Sequence, residues 1–176
     1  MGVGVVNMNM LQLLRKMRWL SVRRRLELYP PFFFMRAKVL SMSDDMREIT
    51  IKLPLNALSK NAGDAMFGGY IASLADPIAA LACVRRFPGY SVWTRAMQVD
   101  FLREGKTDLQ LRFIFDEAVH QQIKQDLADK GRSNPSFEYG FYLADGSLCA
   151  KVVNTVAIRP KGYSKRRDKA VEVKTE

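Results

Sequence analysis

The chain has 176 residues and a net charge of +10, from 28 Lys and Arg against 18 Asp and Glu. That length supports one domain with a hydrophobic core, and 48% apolar with 26% charged residues is an ordinary globular composition. A single histidine excludes a His-based zinc cluster, so no metal site is expected. No apolar run approaches the roughly 18 residues of a membrane span. The opening MGVGVVNMNM has neither the charged start nor the long apolar stretch of a secretion signal. Cys83 and Cys149, far apart in sequence, read as reduced core thiols of a cytoplasmic protein.

The positive charge sits at the ends. Residues 15–27 carry six bases and one acid, and residues 161–176 six bases and three acids. A nucleic-acid-binding core would need a basic face on its folded elements, so no nucleic-acid partner is expected. The termini either touch an anionic partner or act as solvated ends.

In chain order, residues 7–28 predict a basic amphipathic helix, with Met10, Leu13, Leu14, Met17 and Leu20 near one stripe. Such a helix can lie on a membrane or pack on its own domain. Tyr29-Pro30-Pro31 ends it, because the residue before a proline avoids the α region. Residues 32–41 and 46–54 predict two strands; in the second, Ile49, Ile51 and Leu53 alternate with Glu48, Thr50 and Lys52.

A long apolar helix is expected over about 66–86. Strands follow at "YSVWTRAMQVDFL" and "TDLQLRFIF". In the first, Trp93, Met97, Val99 and Phe101 are placed on one face, with Arg95 breaking the pattern. A surface helix over 118–130 should close at Gly131. Two last strands, "SFEYGFYL" and "LCAKVVNTVAIR", form a hairpin around "ADGS". From Pro160 the chain reads as a disordered tail. One apolar helix needs a curved sheet to cover it, so the order predicts an α+β domain with a central helix wrapped by an antiparallel sheet. The domains expected are a basic N-terminal helix over 1–31, the α+β domain over 32–160 and a basic tail over 161–176.

The stretch NAGDAMFGGYIASLADP, residues 61–77, carries the candidate chemistry. Gly costs about 1 kcal/mol against Ala inside a helix, and a buried unpaired carboxylate costs more. At the helix start the leading N–H groups lack intrahelical partners and the macrodipole adds positive charge. Gly68 and Gly69 would let a carbonyl oxygen approach those donors as an oxyanion develops. They would equally allow close helix–sheet packing. Asp76 lies among Leu74, Ala75, Ile78 and Ala79, where burial would raise a carboxyl pKa and suit base chemistry. Alternatively Asp76 faces a polar seam, or caps a helix restarted at Pro77. Gly68 and Asp76 are about 12 Å apart along one helix. A small reacting group cannot touch both in one chain, so a catalytic role requires a symmetric dimer with two shared sites.

Asn61, Phe67-Gly68-Gly69 and Asp76, with Thr94 eighteen residues further on, resemble the signature of hotdog-fold thioesterases of the phenylacetyl-CoA type. That pattern has Asn, then His-Gly-Gly six residues on, then Asp nine residues after the His. The strand "MQVDFLREGK" is similar to the same family. Phe-Gly-Gly, Asp-Pro and a "VW" strand start bring the chain nearest to the DUF4442 branch. The resemblance covers residues 32–160 and implies a hotdog dimer, often assembled into tetramers, that hydrolyses acyl thioesters of CoA or acyl carrier protein without a cofactor. It implies that the Gly68 N–H polarises the thioester carbonyl and that Gly69 shapes the approach. Asp76 of the other chain would act as nucleophile or general base, while Asn61 and Thr94 position water or substrate. Phe67 replaces the usual His and is expected to line the acyl pocket. The alternative is a non-catalytic hotdog module that binds acyl thioesters. Dehydratases of this fold use a catalytic His, and His120 falls on the surface helix. Arg159, Lys161 or the terminal clusters are the candidates for holding CoA phosphates.

Overall fold

The computed structural model describes residues 20–163. Two short helices come first, α1 (Val22–Glu27) and α2 (Pro30–Phe34), then strands β1 (Lys38–Met42) and β2 (Glu48–Leu53). The long helix α3 (Gly68–Arg86) follows. After it come β3 (Tyr90–Phe101), β4 (Leu109–Ile114), helix α4 (Glu117–Lys130), β5 (Ser136–Tyr142) and β6 (Leu148–Pro160). The six strands make one antiparallel sheet in the order β1-β2-β4-β5-β6-β3. This is the α+β architecture the element order predicts.

Periodicity explains the layering. On α3 the buried positions are Ile71, Leu74, Ala75, Ile78, Ala79, Ala82 and Cys83, spaced three and four apart along one stripe. They face the alternate residues of the sheet. Ile49, Ile51 and Leu53 of β2 stand opposite Phe113, Leu111 and Leu109 of β4, and all six are buried. Full burial of each such side chain contributes about 1.5–3 kcal/mol. On the other side of these two strands Glu48, Thr50, Lys52, Gln110 and Arg112 meet solvent to varying degrees.

Two sequence expectations change. Residues 32–34 are not strand: Pro30 and Pro31 occupy the first positions of α2, where a missing N–H costs nothing and the fixed φ favours a helical turn. Phe32 goes into the core, Phe33 and Phe34 stay exposed, and β1 begins only after Arg36, at φ 55°. Second, Arg95 is the extra residue of a β-bulge in β3, since the register steps from Thr94↔Val156 to Ala96↔Thr155. The bulge exchanges faces, so Val92 packs on the core with Met97 and Val99, while Trp93 is exposed.

The helix expected over 7–28 does not run through its described part: Leu20 and Ser21 are not helical, and α1 starts afresh at Val22, where the Ser21 hydroxyl caps it by accepting from the Arg24 N–H. The earlier residues of the expected helix, and the tail from 164, lie outside the described residues. α4 begins one residue early at Glu117, behind an Asp116 cap, and ends as expected at Gly131 in the left-handed conformation. Among the described residues no helix is long and apolar enough to cross a membrane.

Cys83 is fully buried on the sheet-facing stripe of α3, and burial pushes its thiol pKa up to about 12, against a smaller opposing effect of Arg86. In mildly alkaline buffer Cys83 should therefore stay protonated and unmodified by a thiol reagent in the native state, and react once denaturant is added. Peptide mapping of the labelled protein reads this directly; rapid native labelling of Cys83 would contradict the packing of α3.

Candidate active site

The loop before α3 is shaped by Asn61. Its side-chain oxygen accepts from the N–H groups of Gly63 (2.9 Å) and Ala65 (3.2 Å), and its own N–H donates to the Ala65 carbonyl. This turn delivers Phe67 to the N-cap of α3. The Phe67 N–H donates to the Ser59 carbonyl at 2.7 Å, and the Met66 N–H to Gly105 at 2.9 Å. The N–H groups of Gly68 and Gly69 have no acceptor among the described residues. A hollow of about 810 Å³ opens here, lined by Asn61, Gly68, Ile71, Phe101 and Arg103 among others.

Both glycines carry an aromatic ring in place of a side chain. A Cβ on Gly68 would lie 2.9 Å from the Phe101 ring, and one on Gly69 would collide with the ring of Phe67. Phe67 and Phe101 are themselves about half exposed. The glycines therefore serve close packing as well as leaving free N–H donors. Phe101 was assigned from sequence only to a strand face; its position beside Gly68 depends on where β3 ends, which local pattern does not report.

Asp76 lies on the opposite flank of α3 from the buried stripe. Its side chain is exposed in the single chain, although its sequence neighbours are apolar, because Leu74, Ala75, Ile78 and Ala79 all turn toward the sheet. α3 is continuous through Pro77, so Asp76 is not the cap of a restarted helix. Instead the backbone here is held from the sheet side. Thr94 Oγ1 donates to the Asp76 carbonyl at 2.8 Å, Asn154 Nδ2 donates to the same carbonyl at 3.0 Å, and the Tyr139 hydroxyl donates to the Ala75 carbonyl at 2.7 Å. Asn154 Nδ2 also donates to the Tyr139 oxygen at 3.1 Å. Burial of Tyr139 pushes its phenol pKa well above the ordinary value, with Asp76 adding in the same direction, so it remains a donor. Asp76 and Thr94 line a pocket of about 390 Å³ with Trp93, Val92, Pro77 and Leu81.

Sequence reasoning found neither Tyr139 nor Asn154. Asn154 is an uncharged polar residue at a fully buried strand position, and that break in the alternation of β6 is the signal that was available.

The structure thus pairs Asn61 with Gly68 at the start of α3 and Asp76 with Thr94 in its middle, in two separate pockets. Arg159 is nearly buried, and its terminal nitrogens are taken by the carbonyls of Ser133 and Ile158 and by Asn134 Oδ1. It is not available to a CoA phosphate, whereas Lys161 is exposed. His120 packs against Phe87 and Phe115 and contacts Arg86 and Glu117, away from both pockets. Among the described residues no cluster of His, Cys, Asp and Glu could hold a metal ion.

A single long helix laid on a six-stranded antiparallel sheet, with glycines at its start, is the hotdog fold. The chain belongs to the DUF4442 family, a domain of unknown function, whose model matches residues 18–158. No curated protein matches the sequence. Among solved structures, a Pseudomonas aeruginosa protein of unknown function, described as a probable thioesterase, is similar with a TM-score of 0.70 at 16% identity, over 78% of this chain and 93% of that one. A Haemophilus influenzae thioesterase aligns with a TM-score of 0.62 at 12% identity, over 80% and 92%. The PaaI protein of the E. coli phenylacetic acid degradation operon aligns at 0.58 and 18% identity, over 80% and 91%. At these identities the likeness establishes the fold.

Tyr139→Phe should lower stability by about 1–3 kcal/mol, because it strips the Ala75 carbonyl and Asn154 of a buried partner. Denaturant unfolding measures it. A shift in midpoint no larger than that of an exposed tyrosine substitution would show that the clamp is not formed.

Proposed function

We propose that this protein is an acyl thioester hydrolase whose two sites are shared across a homodimer. The observation that carries the reading is the placement of the half-sites along β3. Thr94, near the start of the strand, is bonded to Asp76, and Phe101, at its end, lies on Gly68. Among the described residues β3 is also an edge strand, twelve residues long and paired on one side only. A long open edge invites pairing with another strand. An antiparallel β3–β3 contact about a two-fold axis sets the start of one strand against the end of the other. That brings the Asp76–Thr94 pocket of one copy to the Asn61–Gly68 hollow of the second. It also covers the exposed Asp76 carboxylate.

In such a site the thioester carbonyl oxygen accepts from the unpartnered Gly68 N–H at the positive end of α3. Asp76 of the other copy takes a proton from water as the water oxygen adds to the carbonyl carbon. The C–S bond then breaks, the thiolate leaves and takes up a proton, and the carboxylic acid remains. Thr94 fixes the backbone that carries Asp76. Phe101 and Ile71 give the carbonyl an apolar side, while Phe67 packs beside it on Gly69. The leaving thiol is that of CoA or of acyl carrier protein, both anionic, which accords with the chain's net charge of +10. A tetramer would arise from further pairing of such dimers.

Purified protein should release free thiol from acyl-CoAs, and Asp76→Asn should reduce the rate by at least about a hundredfold, the scale of a general-base contribution. Gly68→Val, which forces bulk onto Phe101 and the donor, should be similarly inactive. Mixing the two variants under conditions that exchange subunits should restore activity, since one of the two sites in the mixed dimer is intact. Binding of acyl-CoA with no turnover by the wild type would instead assign the protein as a binding module. Turnover without complementation would place the whole site in one chain.

A further inference from the structure

The pocket that holds Asp76 and Thr94 does not end at the carboxylate. Its wall residues Pro77, Leu81 and Val84 are shared with a second hollow of about 410 Å³, which runs between α3 and α1 and is floored by Val22, Tyr29 and Met46. Pro77, Leu81 and Val84 recur at spacings of four and three, so they form one half-buried ridge along α3. Among the described residues only two charged ones, Arg25 and Arg85, join the lining; long cationic side chains commonly lay their aliphatic stems on apolar surface and send the charge to water. The hollow has the size of a small-molecule site.

Resting on the thioesterase reading, we infer that this hollow is the acyl-chain subsite: the chain of a medium- or long-chain acyl thioester leaves the carbonyl beside Asp76, follows the Pro77–Leu81–Val84 ridge and ends beneath α1. Three features favour an alkyl chain as occupant. The lining is mostly apolar, with no carboxylate or amide side chain among the described residues that form it. The hollow adjoins the carboxylate pocket, and the two share Pro77, Leu81 and Val84 as wall residues. Its run along the helix matches an alkyl chain, since Asp76 to Val84 spans about 12 Å, the extended length of about ten carbons. α1, which closes the far side, then sets the upper chain length.

The test uses the full-length protein and saturated CoA thioesters from butyryl to palmitoyl, with non-hydrolysable thioether analogues for binding. Affinity should rise about fourfold for each methylene that enters the groove, then level off beyond about ten to twelve carbons. Val22→Trp, which narrows the hollow on the α1 side, should lower the ratio of long-chain to short-chain affinity at least tenfold. Val22→Ala, which should disturb the fold least, should move the plateau to longer chains. Affinity that does not depend on chain length, or that rises but ignores both Val22 substitutions, overturns the inference and leaves the hollow to a second copy or to the chain's own N-terminal segment. The two proposals fail separately. Hydrolysis with flat chain-length dependence removes the subsite and keeps the thioesterase, whereas chain-length-dependent binding of the analogues without turnover of any thioester removes the hydrolase and keeps the subsite.

Discussion

The spacing between α3 and the sheet is the constraint on which the candidate site depends. Ala75, Ala79 and Ala82 lie on the buried stripe of the helix, and each is fully covered. Side chains this short let the helix backbone come near the strands. Because it does, hydroxyl and amide groups rooted in the sheet can reach helix carbonyls: Tyr139 from β5, Asn154 from β6 and Thr94 from β3 all end on Ala75 or Asp76. Larger residues at the alanines would lift α3 and break those bonds together. The packing of the core and the position of the carboxylate are therefore one problem, solved by the same residues.

The start of the helix is governed by a different contact. Gly68 and Gly69 are each overlain by an aromatic ring, Phe101 and Phe67. Each ring packs where a side chain would begin, and neither offers the first N–H groups of α3 a hydrogen-bond acceptor. Unpartnered N–H groups at the positive end of a helix attract negative charge, and the hollow beside them is lined by polar groups, Asn61, Arg103 and Glu104, as well as apolar ones. Phe67 stands at the N-cap of α3 without a side-chain capping bond and packs on Gly69.

Much of this was legible in the sequence, for reasons that differ by element. The stripe on α3 and the alternation in β2 and β4 follow from burial on one face, which local spacing records. The Asn61, Gly68, Asp76 and Thr94 positions were legible because their spacing resembles a known pattern. Their separation into two pockets followed from helix rise alone. What sequence could not supply was non-local. The bulge at Arg95 is written in the register of β3 against β6, and it moved Trp93 to the outer face. The helical turn at Pro30 looked like strand because Phe32, Phe33 and Phe34 are good strand formers, but two prolines set the backbone first. Asp76 looked buried because its neighbours are apolar, yet a helix turns alternate groups of residues to opposite sides.

Pro77 joins these observations. In a helix interior it removes an N–H and bends or loosens the turn before it, at a cost of about 3 kcal/mol. α3 nevertheless runs through it, and the two carbonyls just before it carry three donors from the sheet. Those bonds offset part of the cost and hold the weakened turn in one geometry. On its outer side the same ring is a wall shared by the carboxylate pocket and the apolar hollow. A residue with a free N–H there would make a better helix and a less open flank. The proline is therefore best understood from its surroundings: the sheet supports the backbone at the point where the helix surface passes from the carboxylate pocket to the hollow beside α1.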